Sequence, residues 1–231
     1  MSGTPDRPVA VIGATGRLGR AVVAACEEAG VPVVTTARSA GWTFGETAPG
    51  VVIDASRPAA LDAVAGYCAR TGAALLSCVS GRPGSAEDTF SALAQRVPVM
   101  IAANLSPLHW VQARAVELAA RLAVALVPDA EFTVLDRHPT TKLDAPSATA
   151  TTLAALLPHG ATVLAQRYGM PVSDHQVVIA SAGESWELSH HVRDLGGPAT
   201  AALGLAAWLE QASPGRYTAA EAFAELAGVP V

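Results

Sequence analysis

Val9-Ala10-Val11-Ile12-Gly13-Ala14-Thr15-Gly16-Arg17-Leu18-Gly19 is the stretch that decides the fold. Its four leading apolar residues predict a strand buried on both faces, and the G-x-x-G-x-x-G loop behind them opens a helical pattern from Arg17 to Ala29. Glycines at 13, 16 and 19 permit a tight turn and close approach to the backbone. The helix start adds N–H groups without intrahelical acceptors and a partial positive charge, which suits a pyrophosphate. A Gly-rich loop alone says little. Between the first strand and first helix of an alternating chain it points to a dinucleotide, so Gly13, Ala14, Thr15, Gly16, Arg17, Leu18 and Gly19 form the candidate cofactor loop.

The alternation continues outward. Val31 to Thr36, Val51 to Ile53, Ala73 to Leu76 and Val97 to Ala102 are short apolar runs, each followed by helical periodicity or a turn. Together they predict an α/β fold with an N-terminal Rossmann-like, doubly wound parallel sheet. Pro58 to Thr71 reads as a helix, with Pro in its first turn, Leu61, Val64 and Tyr67 as apolar positions and Gly72 past its end. Arg38 to Gly50 is short and Gly-containing and reads as a loop. After Ala103 the rhythm changes: helix Ser106 to Val127, strand Glu131 to Arg137, helix Ser147 to Leu157, strands His175 to Ala180 and Ser185 to Val192, helix Pro198 to Leu209. Strands outnumber crossover helices there, which predicts a smaller C-terminal α+β domain with a mixed or antiparallel sheet. The expected division is a dinucleotide-binding domain over 1–104 and a second domain over 105–209. A last helix, Thr218 to Leu226 within the segment 210–231, is expected to pack back on the first domain.

Composition excludes several classes. The 231 residues are 51% hydrophobic and 15% charged with net charge −5, so no basic stripe is available for nucleic acid or an anionic membrane. No apolar stretch approaches a bilayer span and the N-terminus lacks a signal core, so a cytoplasmic protein is expected. The three cysteines, Cys26, Cys68 and Cys78, suggest neither a disulfide framework nor a zinc site. His190 and His191 are adjacent on a predicted strand, point to opposite faces and make a poor metal pair, so no metal is expected.

Two further segments carry chemistry. Thr35-Thr36-Ala37-Arg38-Ser39, at the end of the second strand, offers hydroxyls and a guanidinium rather than the carboxylate of an NAD-specific site. Arg38 therefore favours NADPH, with NADH the second choice. Asp136-Arg137-His138-Pro139-Thr140-Thr141-Lys142-Leu143-Asp144-Ala145-Pro146-Ser147-Ala148-Thr149-Ala150 combines an imidazole, the only lysine of the chain and a Pro-Ser helix start. His138 can donate a proton near neutral pH, Lys142 can neutralise a carboxylate, and the first-turn N–H groups around Ser147, Ala148 and Thr149 can hold another.

That segment resembles the H-H-x-x-K-x-D-A-P-S-G-T-A signature of the dihydrodipicolinate reductase family of lysine and diaminopimelate synthesis. Val51 to Pro58 is similar to the family's V-I-D-F-T-x-P, Ala102 to Leu105 to its A-P-N-F, Val172 to Val177 to its V-G-x-H-x-V, and Gly183 to His190 to its G-E-x-x-x-I-x-H. The resemblance spans essentially the whole chain. It implies a two-domain, NAD(P)H-dependent oxidoreductase acting on a cyclic unsaturated imine or enamine dicarboxylate. The second domain would bind that substrate and build a homo-oligomer, a tetramer by resemblance, or a dimer given a chain shortened between Ala150 and His175. It implies His138 as proton donor, Lys142 as substrate-binding and catalytic, and Ser147, Ala148 and Thr149 as the carboxylate turn; it adds Ser56, Cys78, Val79, Ser80, Ala102 and Asn104 to the cofactor site. Pro139 stands for the second family His, Ala148 for a Gly, Leu195 for a substrate-side Arg, and Cys78-Val79-Ser80-Gly81 for G-T-T-G. These departures leave open a diverged member acting on another cyclic imine or enamine acid. A non-catalytic NADP-binding partner protein is disfavoured by the presence of both His138 and Lys142. The Gly-rich loop also resembles that of short-chain dehydrogenases, but those need a Tyr four residues before the active Lys, where this chain has His138.

Overall fold

The computed structural model describes residues 3–36, 48–81, 84, 86–102, 104–158, 160–169 and 173–230. They divide into two units, Met1–Ser106 with Leu195–Val231, and Pro107–Asp194. The first unit begins with β1 (Val9–Ile12), α1 (Arg17–Glu28), β2 (Val33–Thr36), β3 (Val51–Asp54), a 3-10 turn at Pro58–Ala60 leading into α2 (Leu61–Thr71), β4 (Ala74–Ser77), α3 (Ala86–Ala94) and β5 (Pro98–Ile101). The second unit contains α4 (Pro107–Leu126), β6 (Glu131–His138), α5 (Ala148–Ala155), β7 (Thr162–Arg167), β8 (Ser173–Ala180) and β9 (Ser185–Val192). The chain then returns to the first unit with α6 (Gly196–Glu210), β10 (Gly215–Thr218) and α7 (Ala219–Ala227).

The first sheet has the order β10-β5-β4-β3-β1-β2, and every neighbouring pair is parallel. β1, β3 and β4 are buried along their whole length, as continuous apolar strands covered on both faces must be. One face packs on α2 and α3 through Ile12, Val52, Val64, Leu75, Phe90 and Val99. β1 lies between β2 and β3, so the strand order reverses at β1 and a crevice opens beyond the carboxyl ends of these strands. α2 ends at Gly72, whose φ of +70° supplies the left-handed residue that closes a helix.

α6 is buried nearly all round, through Ala199, Ala202, Leu203, Leu205, Ala206 and Leu209, because it packs on α1 and on β3, β4 and β5. It therefore belongs with the parallel sheet. This corrects the expected extent of the second domain from 105–209 to Pro107–Asp194. α7 packs on β10 and α6 in the same unit, and Thr218 with Glu221 forms its capping box.

The second sheet has the order β7-β6-β8-β9 and is mixed: β6 pairs parallel with β7 across the α5 crossover, and β8 pairs antiparallel with β6 and β9. One face carries Phe132, Val134, Val177 and Ile179 against Val116, Ala119 and Ala120 of α4 and Ala150 and Leu153 of α5. Because side chains alternate along a strand, the same face continues from Phe132 and Val134 to Asp136 and His138. The register sets Asp136 opposite His175 and His138 opposite Arg167, so the apolar core ends in a buried polar cluster. Among the described residues no helix is long and apolar enough to cross a membrane. Arg38 and most of the expected 38–50 loop lie outside the described residues.

Candidate active site

Asp136 is fully buried and forms the hub of this cluster. The Ser147 N–H and hydroxyl donate to its two carboxylate oxygens at 2.9 and 2.7 Å. Arg167 Nη2 lies 3.1 Å from Oδ2, and Nε2 of His138 and of His175 lie 2.9 and 3.4 Å from Oδ1. Burial alone would raise the Asp136 pKa, but hydrogen bonds from His138, His175 and Ser147 outweigh it and hold the carboxyl well below the usual range. It is an anion at any working pH. The rings of His138 and His175 meet edge to face at 5.2 Å.

The strand ends are tied down around this hub. The Gln112 amide of α4 donates to the backbone oxygens of His175 and Leu188 at 2.9 and 3.0 Å, holding β8 and β9 beneath the helix. His109, one turn earlier, lies 6.1 Å from His175 and 6.0 Å from His190, ring centre to ring centre. Burial first, then those two neighbouring imidazoles, lower the His109 pKa from 6.5 to about 4. Burial also lowers that of His190. His191, its sequence neighbour, is half-exposed and pairs with Asp174 at 3.0 Å.

The sign of the His109 effect is fixed by linkage. The unfolded chain takes up a proton at about 6.5 and the folded one only near 4, so stability is complete above 6.5 and falls as pH drops towards 4. Lowering pH from 7.5 to 5 is expected to remove about 2 kcal/mol through this residue. Thermal unfolding at the two pH values checks it: His109→Leu should flatten the dependence, and a variant as acid-sensitive as the parent would refute the assignment.

Beyond β6 the loop doubles back, with Lys142 N–H donating to Pro139 O at 3.0 Å. Lys142 Nζ is partly exposed and pairs with Asp144 at 2.8 Å, while Arg167 also donates to the Asp144 carbonyl. Ser147 caps α5 by accepting from the Ala150 N–H at 3.2 Å. Ser147 thus gives its own N–H and hydroxyl to Asp136, and of the expected carboxylate turn Ala148 and Thr149 stand at the first helical positions. Arg137 is engaged with Gln176 at 2.9 Å and Arg193 with Asp174, so neither is a spare cation at the site.

The expected cofactor residues sit in the first unit. Gly13 N–H donates to Thr36 O at 2.8 Å and Gly13 O accepts from Gly16 N–H at 2.9 Å, drawing the loop into the crevice beside β1. Gly13 has φ +80°, and a Cβ there would lie 2.8 Å from Ala55 O; a Cβ on Gly19 would lie 2.2 Å from Gly13 O. Gly16 caps α1 in extended conformation, followed by Arg17 and Leu18 with helix-start N–H groups. Ser56 folds back on Asp54 through its N–H at 3.0 Å and through its hydroxyl. Cys78 N–H donates to Asp54 O and Ala102 N–H to Ser77 O, both at 2.9 Å, and Asn104 Oδ1 accepts from Ser106 N–H. Val79 is buried and Ser80 exposed. Burial, reinforced by the Asp54 carboxylate, pushes the Cys78 thiol pKa up, so Cys78 is no nucleophile. Thr36 Oγ1 and Ser77 Oγ are buried at carboxyl strand ends with no hydrogen-bond partner among the described residues. A bare glycine cradle with polar atoms awaiting partners fits a dinucleotide phosphate.

Asp136, His138 and His175 also bring one donor atom each within 4.8 Å of one another, a spacing a metal could use. Arg167 already meets the carboxylate charge from the Oδ2 side, and the Ser147 hydroxyl donates to Oδ1, so both carboxylate oxygens are already engaged by protein groups. Sequence reasoning gave no role to Asp136, Arg167, His175, His109 or Gln112. Asp136 could have been found from its position two residues before His138 on one strand, which places both on one face.

Comparison with known proteins places this geometry in a family. Residues 7–105 match the model for dihydrodipicolinate reductase, N-terminus, and residues 112–223 that for dihydrodipicolinate reductase, C-terminus. The chain is 34% identical over 193 residues to a 4-hydroxy-tetrahydrodipicolinate reductase of Gluconobacter oxydans, covering 74% of this chain and 76% of the relative. It is 31% identical over 238 residues to a protein of the same name from Acidiphilium cryptum, covering 92% and 95%. A solved structure, dipicolinate-bound dihydrodipicolinate reductase from Paenisporosarcina sp. TG-14, shares the fold with TM-score 0.67 over 92% of this chain and 97% of that one, at 16% identity.

Proposed function

Because the chain belongs to the dihydrodipicolinate reductase family of oxidoreductases, we propose that it reduces 4-hydroxy-tetrahydrodipicolinate with a nicotinamide cofactor. The observation that carries this reading is the placement of His138 at the end of β6, with Lys142 and the start of α5 on the segment that leaves it. The glycine loop and the polar ends of β2 and β4 would hold the dinucleotide, which when bound supplies hydride to an unsaturated bond of the substrate ring. His138 gives the proton that completes the addition, so one double bond is consumed by one hydride and one proton. Lys142 exchanges Asp144 for a substrate carboxylate, and the Ala148 and Thr149 N–H groups receive a carboxylate at the helix start. Turnover is tested by following NADPH oxidation with the substrate generated in the cuvette. No oxidation there, with oxidation on another cyclic imine acid, would replace this substrate with that of a diverged member.

NADPH is the preferred cofactor on the strength of Arg38, which can pair with a 2′-phosphate where no carboxylate repels it. Arg38→Ala is expected to weaken NADPH at least about tenfold and leave NADH nearly unchanged. Calorimetric titration with both cofactors decides it, and an unchanged ratio would refute Arg38 as the selector. A cytoplasmic homo-oligomer built through the second sheet completes the reading. It is supported by the sheet face opposite α4 and α5, which carries half-buried Leu135 and Val178 and an exposed Leu164.

A further inference from the structure

We propose that Asp136 is the positioning residue of the reaction: it holds His138 through Nε2 and thereby makes Nδ1 the ring nitrogen that delivers the proton. The inference rests on the proton-donor role assigned to His138 above. Its starting point is that an ionised carboxylate can only accept hydrogen bonds. Nε2 of His138 lies 2.9 Å from Asp136 Oδ1, where a ring lone pair would face the carboxylate's own lone pairs, so the form with hydrogen on this nitrogen is the favoured one. The remaining nitrogen, Nδ1, is then the one that alternates: it bears a hydrogen in the imidazolium and a lone pair after the proton has gone to substrate.

Asp136 is built for this task. It is fully buried, and its strand is flanked on both sides, by β7 and β8, so its backbone has little freedom. Two groups besides the histidines fix the carboxylate: Ser147, which donates through both N–H and hydroxyl, and Arg167 at 3.1 Å. Both come from segments that also carry the expected substrate contacts, since Ser147 opens α5 and Arg167 holds the Asp144 carbonyl beside Lys142. His138 is held independently at its main chain, where its carbonyl accepts from the Tyr168 N–H at 3.1 Å. The backbone bond and the carboxylate beside Nε2 together restrict how the imidazole can turn toward the substrate.

The hydrogen on each ring nitrogen is visible by nitrogen-15 NMR of histidine-labelled protein, which requires no substrate. In the wild-type protein at a pH where His138 is neutral, its signals should show hydrogen on Nε2 and a bare Nδ1; the reverse tautomer would overturn the proposal even if no variant folded. Asp136→Asn keeps the shape and removes the charge, and its amide can donate to the ring. That variant should shift His138 away from the Nε2–H form and lower kcat at least about a hundredfold, with KM and NAD(P)H affinity within about threefold. An unaltered tautomer, or a kcat within threefold of the parent, would reduce Asp136 to a structural residue. A tight one-to-one zinc complex of the wild-type protein, lost in Asp136→Asn, would equally overturn it by making the hub a metal site. Failure of the wild type on 4-hydroxy-tetrahydrodipicolinate would strike the proposed function instead, leaving the NMR reading of Asp136 intact.

Discussion

His138→Gln is expected to lower kcat by about two to four orders of magnitude while leaving NAD(P)H affinity within about twofold, the span that a positioned general acid contributes. Glutamine is close in size, and its amide can still donate to Asp136, so the buried carboxylate keeps a partner and the fold should persist. What is lost is a ring nitrogen that can carry a proton and give it up. The glycine cradle for the cofactor belongs to the other unit, built on β1 and α1, which is why binding and chemistry should separate in this variant. Steady-state kinetics together with calorimetric titration tests the prediction. Turnover at the parent rate would move the proton donor to another group, with His175, next to the same carboxylate, the first to examine.

Gly19→Ala should damage both the fold and the glycine cradle. A Cβ at residue 19 would sit 2.2 Å from Gly13 O, 2.7 Å from Gly13 C and 2.9 Å from Ala14 Cα, all main-chain atoms that no rotamer change can move. Relief requires α1 to shift away from the loop, which opens the α1–sheet packing around Val22 and Cys26 and misaligns the helix-start N–H groups. The expected result is a loss of about 1–3 kcal/mol or more in stability and at least a tenfold rise in the cofactor Kd. Gly16→Ala is the milder comparison, since its Cβ meets Gly13 O at 3.2 Å. Thermal unfolding and nucleotide titration of the pair would show it, and two variants of equal, near-parental behaviour would mean the loop does not pack on the helix in this way.

The parts of the fold legible in the sequence are those written locally. β1, its loop and α1 are consecutive, and the glycines report the close backbone approach at Gly13 and Gly19. β7 and β10 were not found, because each is a short edge strand in which the alternation of Thr162 to Arg167 or Gly215 to Thr218 is too brief to stand out. α6 was legible as a helix but its allegiance was not: apolar on all sides, it has no polar face to say which core it enters. For the site, His138, Lys142 and Ser147 lie within one segment. Asp136, Arg167 and His175 gain meaning only from strand register, which sets His175 opposite Asp136 and Arg167 opposite His138, within reach of the same carboxylate, and no local pattern encodes it.

The return of residues 195–230 to the parallel sheet sets an order of assembly. During synthesis the segment Pro107–Asp194 is complete before the first unit has all its partners, so its mixed sheet can close around Phe132, Val134 and Val177 first. The earlier-born strands β1 to β5 must wait with the α1 side of their sheet bare until α6 arrives to cover it and β10 to pair with β5. A chain truncated after residue 194 should therefore have a protease-resistant second unit and a sticky, chaperone-dependent first one, the reverse of the usual N-terminal-first sequence.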